Sequence, residues 1–157
     1  MARSPQKPHL CNLERKKTIV IQNKKYYGKL AKKKLRKVVA KLYKAKAKTN
    51  LSYFDRKAIQ TKIDQKIRAW NNDHSPPFYY NLHWMSRYGA LLYAIEMVKK
   101  AKKRGVKKVR FETGRGNHSW NRFPAIKDAL LKHFRSSEGL SVEVDPKNDG
   151  VLVIDIH

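Results

Sequence analysis

Acidic residues are scarce in this chain. Twelve Asp and Glu stand against 37 Lys and Arg, a formal net charge of +25 at pH 7. A balance this basic favours a polyanionic partner, because each phosphate neutralised releases a condensed counterion. Cysteine is nearly absent as well. Cys11 stands alone, which excludes an intramolecular disulfide and fits a reducing compartment. Long apolar runs are missing: none approaches a membrane span, and Met1 to Asn12 lacks the apolar stretch of a secretory signal. The expected setting is intracellular, in cytoplasm or nucleus, not secreted, with no membrane among the expected partners.

The positive charge is unevenly placed. Residues 1–75 hold 22 basic and 4 acidic residues, whereas residues 76–157 hold 15 and 8. Between Lys24 and Lys48 there are twelve basic residues, no acidic one and no proline. Tyr27, Ala31, Leu35, Val38 and Leu42 recur there at helical spacing, which predicts an amphipathic helix with basic outer faces. Lys32, Lys33, Lys34, Arg36 and Lys37 are its densest cluster and the candidate phosphate contacts. The same cluster reads as a nuclear-localisation patch, and the helix as a solvated face or a binder of anionic membrane. The nucleic-acid reading is preferred because a merely solvated face would carry both signs of charge. Ahead of this helix, residues 1–23 read as a basic tail, disordered over Met1 to Lys17, with Thr18–Ile21 as a small strand or docking segment. A second helix is expected from Tyr53 to Trp70, with Ser52 as cap, Asp55 three residues on, and Ile59, Ile63, Ile67 and Trp70 as its stripe. Asn71 to Pro77 then makes a linker. The domain reading is therefore a tail over 1–23, a basic helical extension and linker over 24–75, and an α/β domain over 76–157.

In the second half, Phe78 to Trp84 reads as an aromatic-rich strand in which Asn81 and His83 share a face. A helix follows, capped by Ser86, with Tyr88, Leu91, Leu92, Ile95 and Val98 as its expected apolar face. Lys99 to Arg104 form its basic last turn, and Gly105 ends it. The strand Val109-Arg110-Phe111 then runs into Thr113-Gly114-Arg115-Gly116-Asn117-His118-Ser119. Gly114 and Gly116 permit a tight loop and close approach of peptide N–H groups to a ligand. Arg115 offers a forked cation suited to phosphate, and His118 can give or take a proton near neutral pH. Strand, helix, strand makes a βαβ unit with parallel strands. Their carboxyl ends share one sheet edge, where ligands of open α/β sheets bind. His83 and the loop Gly114–His118 are thereby expected to converge.

These residues resemble the Smr (small MutS-related) domain family. Tyr80-Asn81-Leu82-His83 is similar to its Leu-Asp-x-His strand, Thr113 to Ser119 to its Thr-Gly-x-Gly loop continued as Asn-His-Ser, and Gly150-Val151-Leu152-Val153 to its last strand. The resemblance spans about Phe78 to His157. It implies a compact α/β domain like the C-terminal domain of translation initiation factor three. It also implies nicking or endonuclease activity on DNA or RNA, for some members on ribosomes. Two positions depart from the pattern: Asn81 stands where the family has Asp, and Trp84 where it has Gly. An amide orients a histidine but neither carries charge nor accepts a proton, so the first departure bears directly on catalysis.

The rest completes the domain. Pro124 starts a helix with Ile126, Ala129, Leu130 and Phe134 as its stripe, and His133 near its end reads as a surface histidine. Leu140, Val142 and Val144 alternate as a half-buried strand, Asp145 to Gly150 turn the chain, and Val151 to Ile156 return. The predicted fold class is α/β: a compact two-layer βαβαββ domain, its sheet mostly parallel with an antiparallel hairpin at one side. Three functions remain open on the sequence. The first is an endonuclease cleaving RNA, or nicking DNA. Its catalytic set is His83 as base, His118 as acid (the roles are interchangeable), Arg115 as charge stabiliser and Asn81 beside His83. Thr113, Gly114, Gly116 and Asn117 would hold the phosphate. No cofactor or metal is expected. The second is a non-catalytic RNA- or ribosome-binding module, and the third a docking protein for acidic surfaces. Oligomeric state is open.

Overall fold

This computed structural model describes residues 10–116 and 120–157, with side chains from Gly28 on, Trp120 excepted. Asn117 and His118, two of the expected site residues, lie outside the described residues. The element order is α1 (Leu10–Lys46), α2 (Tyr53–His74), β1 (Tyr79–Asn81), α3 (Arg87–Lys103), β2 (Lys108–Glu112), α4 (Ala125–Arg135), β3 (Leu140–Asp145) and β4 (Asn148–Ile156). A short 3-10 turn, Trp120–Arg122, precedes α4.

The helical hairpin forms much as its local chemistry dictates, except that α2 runs on to His74, so Asn71 to His74, expected as linker, are helical. Ser52 caps α2, accepting from the Asp55 N–H at 3.1 Å, while Asp55 accepts from the Ser52 N–H at 3.1 Å. These two bonds satisfy donors that a helix start otherwise leaves bare. α1 differs from expectation. It begins by Leu10, well inside the segment read as tail, and Thr18–Ile21 lies within it as helix, neither strand nor separate segment. One uninterrupted helix accommodates that β-branched run because its neighbours on both sides are good helix formers with no proline between.

The sheet order is β1-β2-β4-β3. β1 and β2 are parallel, so Asn81 pairs with Glu112 and both strands end at the same edge. β4 runs antiparallel to β2 and to β3. The expected mostly parallel sheet is corrected: among the described strands β1–β2 is parallel, and β2–β4 and β4–β3 are antiparallel. Three strands share a direction, but the hairpin strand β4 enters between β2 and β3. Central placement explains why Val151, Leu152, Val153 and Ile154 are all buried.

One hydrophobic core joins the two halves of the chain. Leu35 and Val39 of α1 and Ile63 and Ile67 of α2 belong to the same cluster as Tyr93 and Met97 of α3, Phe111 of β2, Phe134 of α4 and Ile154 of β4. The α3 face is corrected in part: Val98 is buried and Leu91 and Ile95 pack against the core as expected, but Tyr88 and Leu92 do not. Ala90, Tyr93, Ala94, Met97, Val98 and Ala101 are buried, whereas Tyr88 and Leu92 are 72% and 46% exposed. Three alanines on the inner face let α3 approach its neighbours closely, and that close packing outweighs the pull of the larger side chains. Tyr88 and Leu92 instead border a groove between α2 and α3, with Tyr53, Lys57 and Gln60 across from them.

Candidate functional site

His83 follows β1 by two residues and Thr113 follows β2 by one, so the parallel pairing brings them to one edge. The approach is intimate. Gly114 has φ +77°, and a Cβ there would lie 2.7 Å from His83 Nδ1 and 3.1 Å from its Cε1. The imidazole thus stands directly on the bare face of Gly114, in space that any larger residue would fill. Gly116, also at φ +77°, serves a different neighbour: its missing Cβ admits Pro124 N and Arg122 O. The two glycines pack protein on protein at two faces of the loop.

The loop is tied to the start of β4. The N–H groups of Thr113 and Gly114 both donate to the Gly150 carbonyl, at 2.8 and 3.1 Å, and the buried Thr113 hydroxyl donates to it at 3.2 Å. These donors are committed within the protein. Thr113 and Gly114, expected with Gly116 to cradle a phosphate, use these N–H groups to bind β4. Arg115 pairs through Nε with Asp149, both side chains being more than half exposed. Such a surface ion pair is worth about 0–1 kcal/mol, little enough for an incoming phosphate to displace it. Lys127 of α4 donates to the Asp149 carbonyl at 2.7 Å and adds a second cation beside Arg115.

Asn81 lies beneath His83 and is 2% exposed. Its Oδ1 accepts from the His83 backbone N–H at 2.8 Å, which fixes the chain's turn out of β1. Its Nδ2 is buried with no hydrogen-bond partner among the described residues. Asn81 therefore positions the backbone of His83 through a bond that a carboxylate oxygen could equally accept.

The basic helix reaches the same edge, which the sequence did not disclose. Lys32, Arg36 and Tyr43 fall at i, i+4 and i+11, one face of α1. Lys32 Nζ is 3.5 Å from Glu112 at the end of β2. The Arg36 guanidinium lies 5.9 Å from the centre of the Trp84 ring. The Trp84 ring in turn meets His83 edge to face at 4.4 Å. Of the five cations singled out from the sequence, Lys33, Lys34, Arg36 and Lys37 are exposed, and Lys32 is half-buried against Glu112. Glu112 also faces Tyr79; burial, with the Glu112 charge adding to it, pushes the Tyr79 hydroxyl up to about 12. Tyr79 consequently stays protonated at the pH of any histidine chemistry.

Lys127, Asp149, Trp84, Tyr43 and Glu112 are the members of this edge that sequence reasoning missed. Among the described residues no group of three or more His, Cys, Asp or Glu is placed to hold a metal ion, and no helix is long and apolar enough to cross a membrane.

Comparison with solved structures finds two similar domains. The Smr domain of Thermus thermophilus MutS2 is 20% identical, covering 50% of this chain and 96% of that one, with a TM-score of 0.45. The B3BP Smr domain is 24% identical, covering 64% of this chain and 97% of that one, with a TM-score of 0.49. No family model matches the chain, and no curated protein matches it.

Proposed function

We propose that this chain is an Smr-type RNA-binding protein that cleaves RNA without a metal, using histidine at the shared edge of β1 and β2. The observation that carries the reading is the seating of His83 on Gly114, with Arg115 on the same loop and a basic helix docked alongside. RNA brings its own nucleophile. One histidine takes the proton from the 2′-hydroxyl, the 2′ oxygen attacks phosphorus, and the 5′ oxygen leaves with a proton from the second histidine. Arg115 offsets the charge that builds on the phosphoryl oxygens. His83 is the base and His118 the acid in this scheme. Incubation of the full chain with labelled single-stranded RNA and with DNA of the same sequence tests it, RNA alone being cut.

Exposed cations on α1 supply sequence-independent grip on the phosphate backbone. Replacing Lys33, Lys34 and Lys37 by glutamine should weaken RNA binding and flatten the log–log salt dependence by roughly 0.7 per lost phosphate contact. These three are exposed and, among the described residues, make no ion pair with the α/β half, so the fold should survive; an unchanged slope would remove α1 as the anchor.

A second reading, a non-catalytic RNA- or ribosome-binding module, is favoured by one specific observation: Asn81 supplies no charge beside His83. The two separate at Asn81→Asp. A carboxylate there keeps the acceptor for the His83 N–H and removes a buried donor that has no partner among the described residues. Cleavage should rise with RNA affinity nearly unchanged, whereas a binding module gains no activity.

A further inference from the structure

The segment carrying His83 from β1 into α3 is gripped from the N-terminal hairpin along its length. Asn71 of α2 donates to the Asn81 carbonyl and accepts from the Asn81 N–H, each at 2.8 Å. Tyr43 of α1 donates its hydroxyl to the Trp84 carbonyl at 2.7 Å. Asp64 of α2 accepts from the Ser86 N–H at 2.8 Å and from the Ser86 hydroxyl at 2.6 Å. Burial raises the Tyr43 hydroxyl above the usual phenol range, so it remains a donor.

Within that grip Trp84 adopts φ +70°. A bulky residue rarely takes this left-handed conformation, and it persists only where its surroundings over-determine it. The surroundings here are Tyr43 on its carbonyl, the Arg36 guanidinium at its ring, and His83 meeting that ring edge to face. A strained residue clamped between the basic helix and the site histidine is a link between the two.

We infer that Trp84 is a positioning residue: α1, through Tyr43 and Arg36, sets Trp84, and Trp84 sets the His83 imidazole against Gly114. The inference rests on reading His83 as the proton-transfer group. It makes α1 part of the site, not a tether hung beside it. RNA held on α1 then meets a His83 whose geometry that same helix determines.

The test uses Tyr43→Phe in the full chain, which deletes one hydroxyl and keeps the ring. Three quantities are read: kcat and KM on RNA, the His83 ring signals by NMR, and the thermal midpoint. The expected result is a kcat about fivefold lower, the kinetic equivalent of one ordinary net hydrogen bond. KM should hold within twofold, the midpoint should fall by no more than about 4 °C, and the His83 signals should shift. Trp84→Gly should lower kcat further, even though glycine suits φ +70°, and Trp84→Phe should restore part of it. Unchanged His83 signals in Tyr43→Phe overturn the inference whatever kcat does, as does an effect confined to KM. If the parent chain cuts no RNA, the proposed activity fails, and the His83 signals in Tyr43→Phe still decide the positioning.

Discussion

His83→Ala is expected to yield a folded protein whose RNA turnover falls by at least about tenfold, with Arg115→Ala and His118→Ala falling likewise. The physical case is uneven across the three. His83 is half-buried at a strand end, outside the core cluster, so its loss leaves Phe111, Tyr93 and Ile154 packed as before. Among the described residues Arg115 gives up only a surface ion pair with Asp149, worth about 0–1 kcal/mol to the fold. A loss of turnover there reads the phosphate contact and not stability. His118 follows by four residues the glycine on which His83 is seated, and its expected role is the complementary one. Two histidines acting as base and acid also require the native rate to peak at intermediate pH and to fall on either side. Rates that survive all three substitutions, measured beside circular dichroism of each variant, would place the chemistry elsewhere.

Gly114→Ala should be more damaging than its single methyl suggests. The added Cβ would lie 2.7 Å from His83 Nδ1, closer than real Cβ contacts come, at a backbone φ of +77°. The strain costs about 1–2 kcal/mol, and the imidazole must move. A displacement of about 1 Å at a reacting group is able to cost on the order of 10²-fold in rate, so turnover should fall about a hundredfold while RNA affinity, carried by α1, holds. Gly105→Ala is the control. Gly105 sits at φ +68° with no described atom within 4 Å of its would-be Cβ. It therefore carries the same backbone strain without touching His83, and turnover should be retained. Equal activity losses in the two variants would attribute the effect to strain alone.

How much of this was legible in the sequence depends on the range of the interaction. The Ser52–Asp55 capping box and the Ser86 cap of α3 are local, set by residues three apart, and they stand where the spacing placed them. The meeting of His83 with the glycine loop was legible too, because parallel strands joined by a helix must end at one edge. The inner face of α3 was legible in part, with Val98 buried and Leu91 and Ile95 packed on the core. Size of side chain pointed to Tyr88 and Leu92, while the fold chose Ala90, Ala94 and Ala101 for close approach. Bonds between distant residues were not legible at all. Nothing in the sequence pairs Tyr43 with Trp84, Asn71 with Asn81, or Thr113 with Gly150, since each depends on the finished packing of elements far apart in the chain. The same holds for α1. Its charge was plain, but its docking against the His83 edge was not. The apolar stripes of α1 and α2 fit packing on each other or on the α/β domain, and the single core that joins the two halves does both.

The central claim, histidine-driven cleavage through the 2′-hydroxyl, is tested most directly by the chemistry of the product ends. Purified full-length chain is incubated with labelled single-stranded RNA, with and without EDTA, and the termini of the fragments are identified. Attack by the 2′ oxygen leaves a 2′,3′-cyclic phosphate on one fragment and a 5′-hydroxyl on the other, in equal yield with EDTA present. Fragments bearing 5′-phosphate ends, or cleavage abolished by EDTA, would contradict the account, as would tight RNA binding that releases no product.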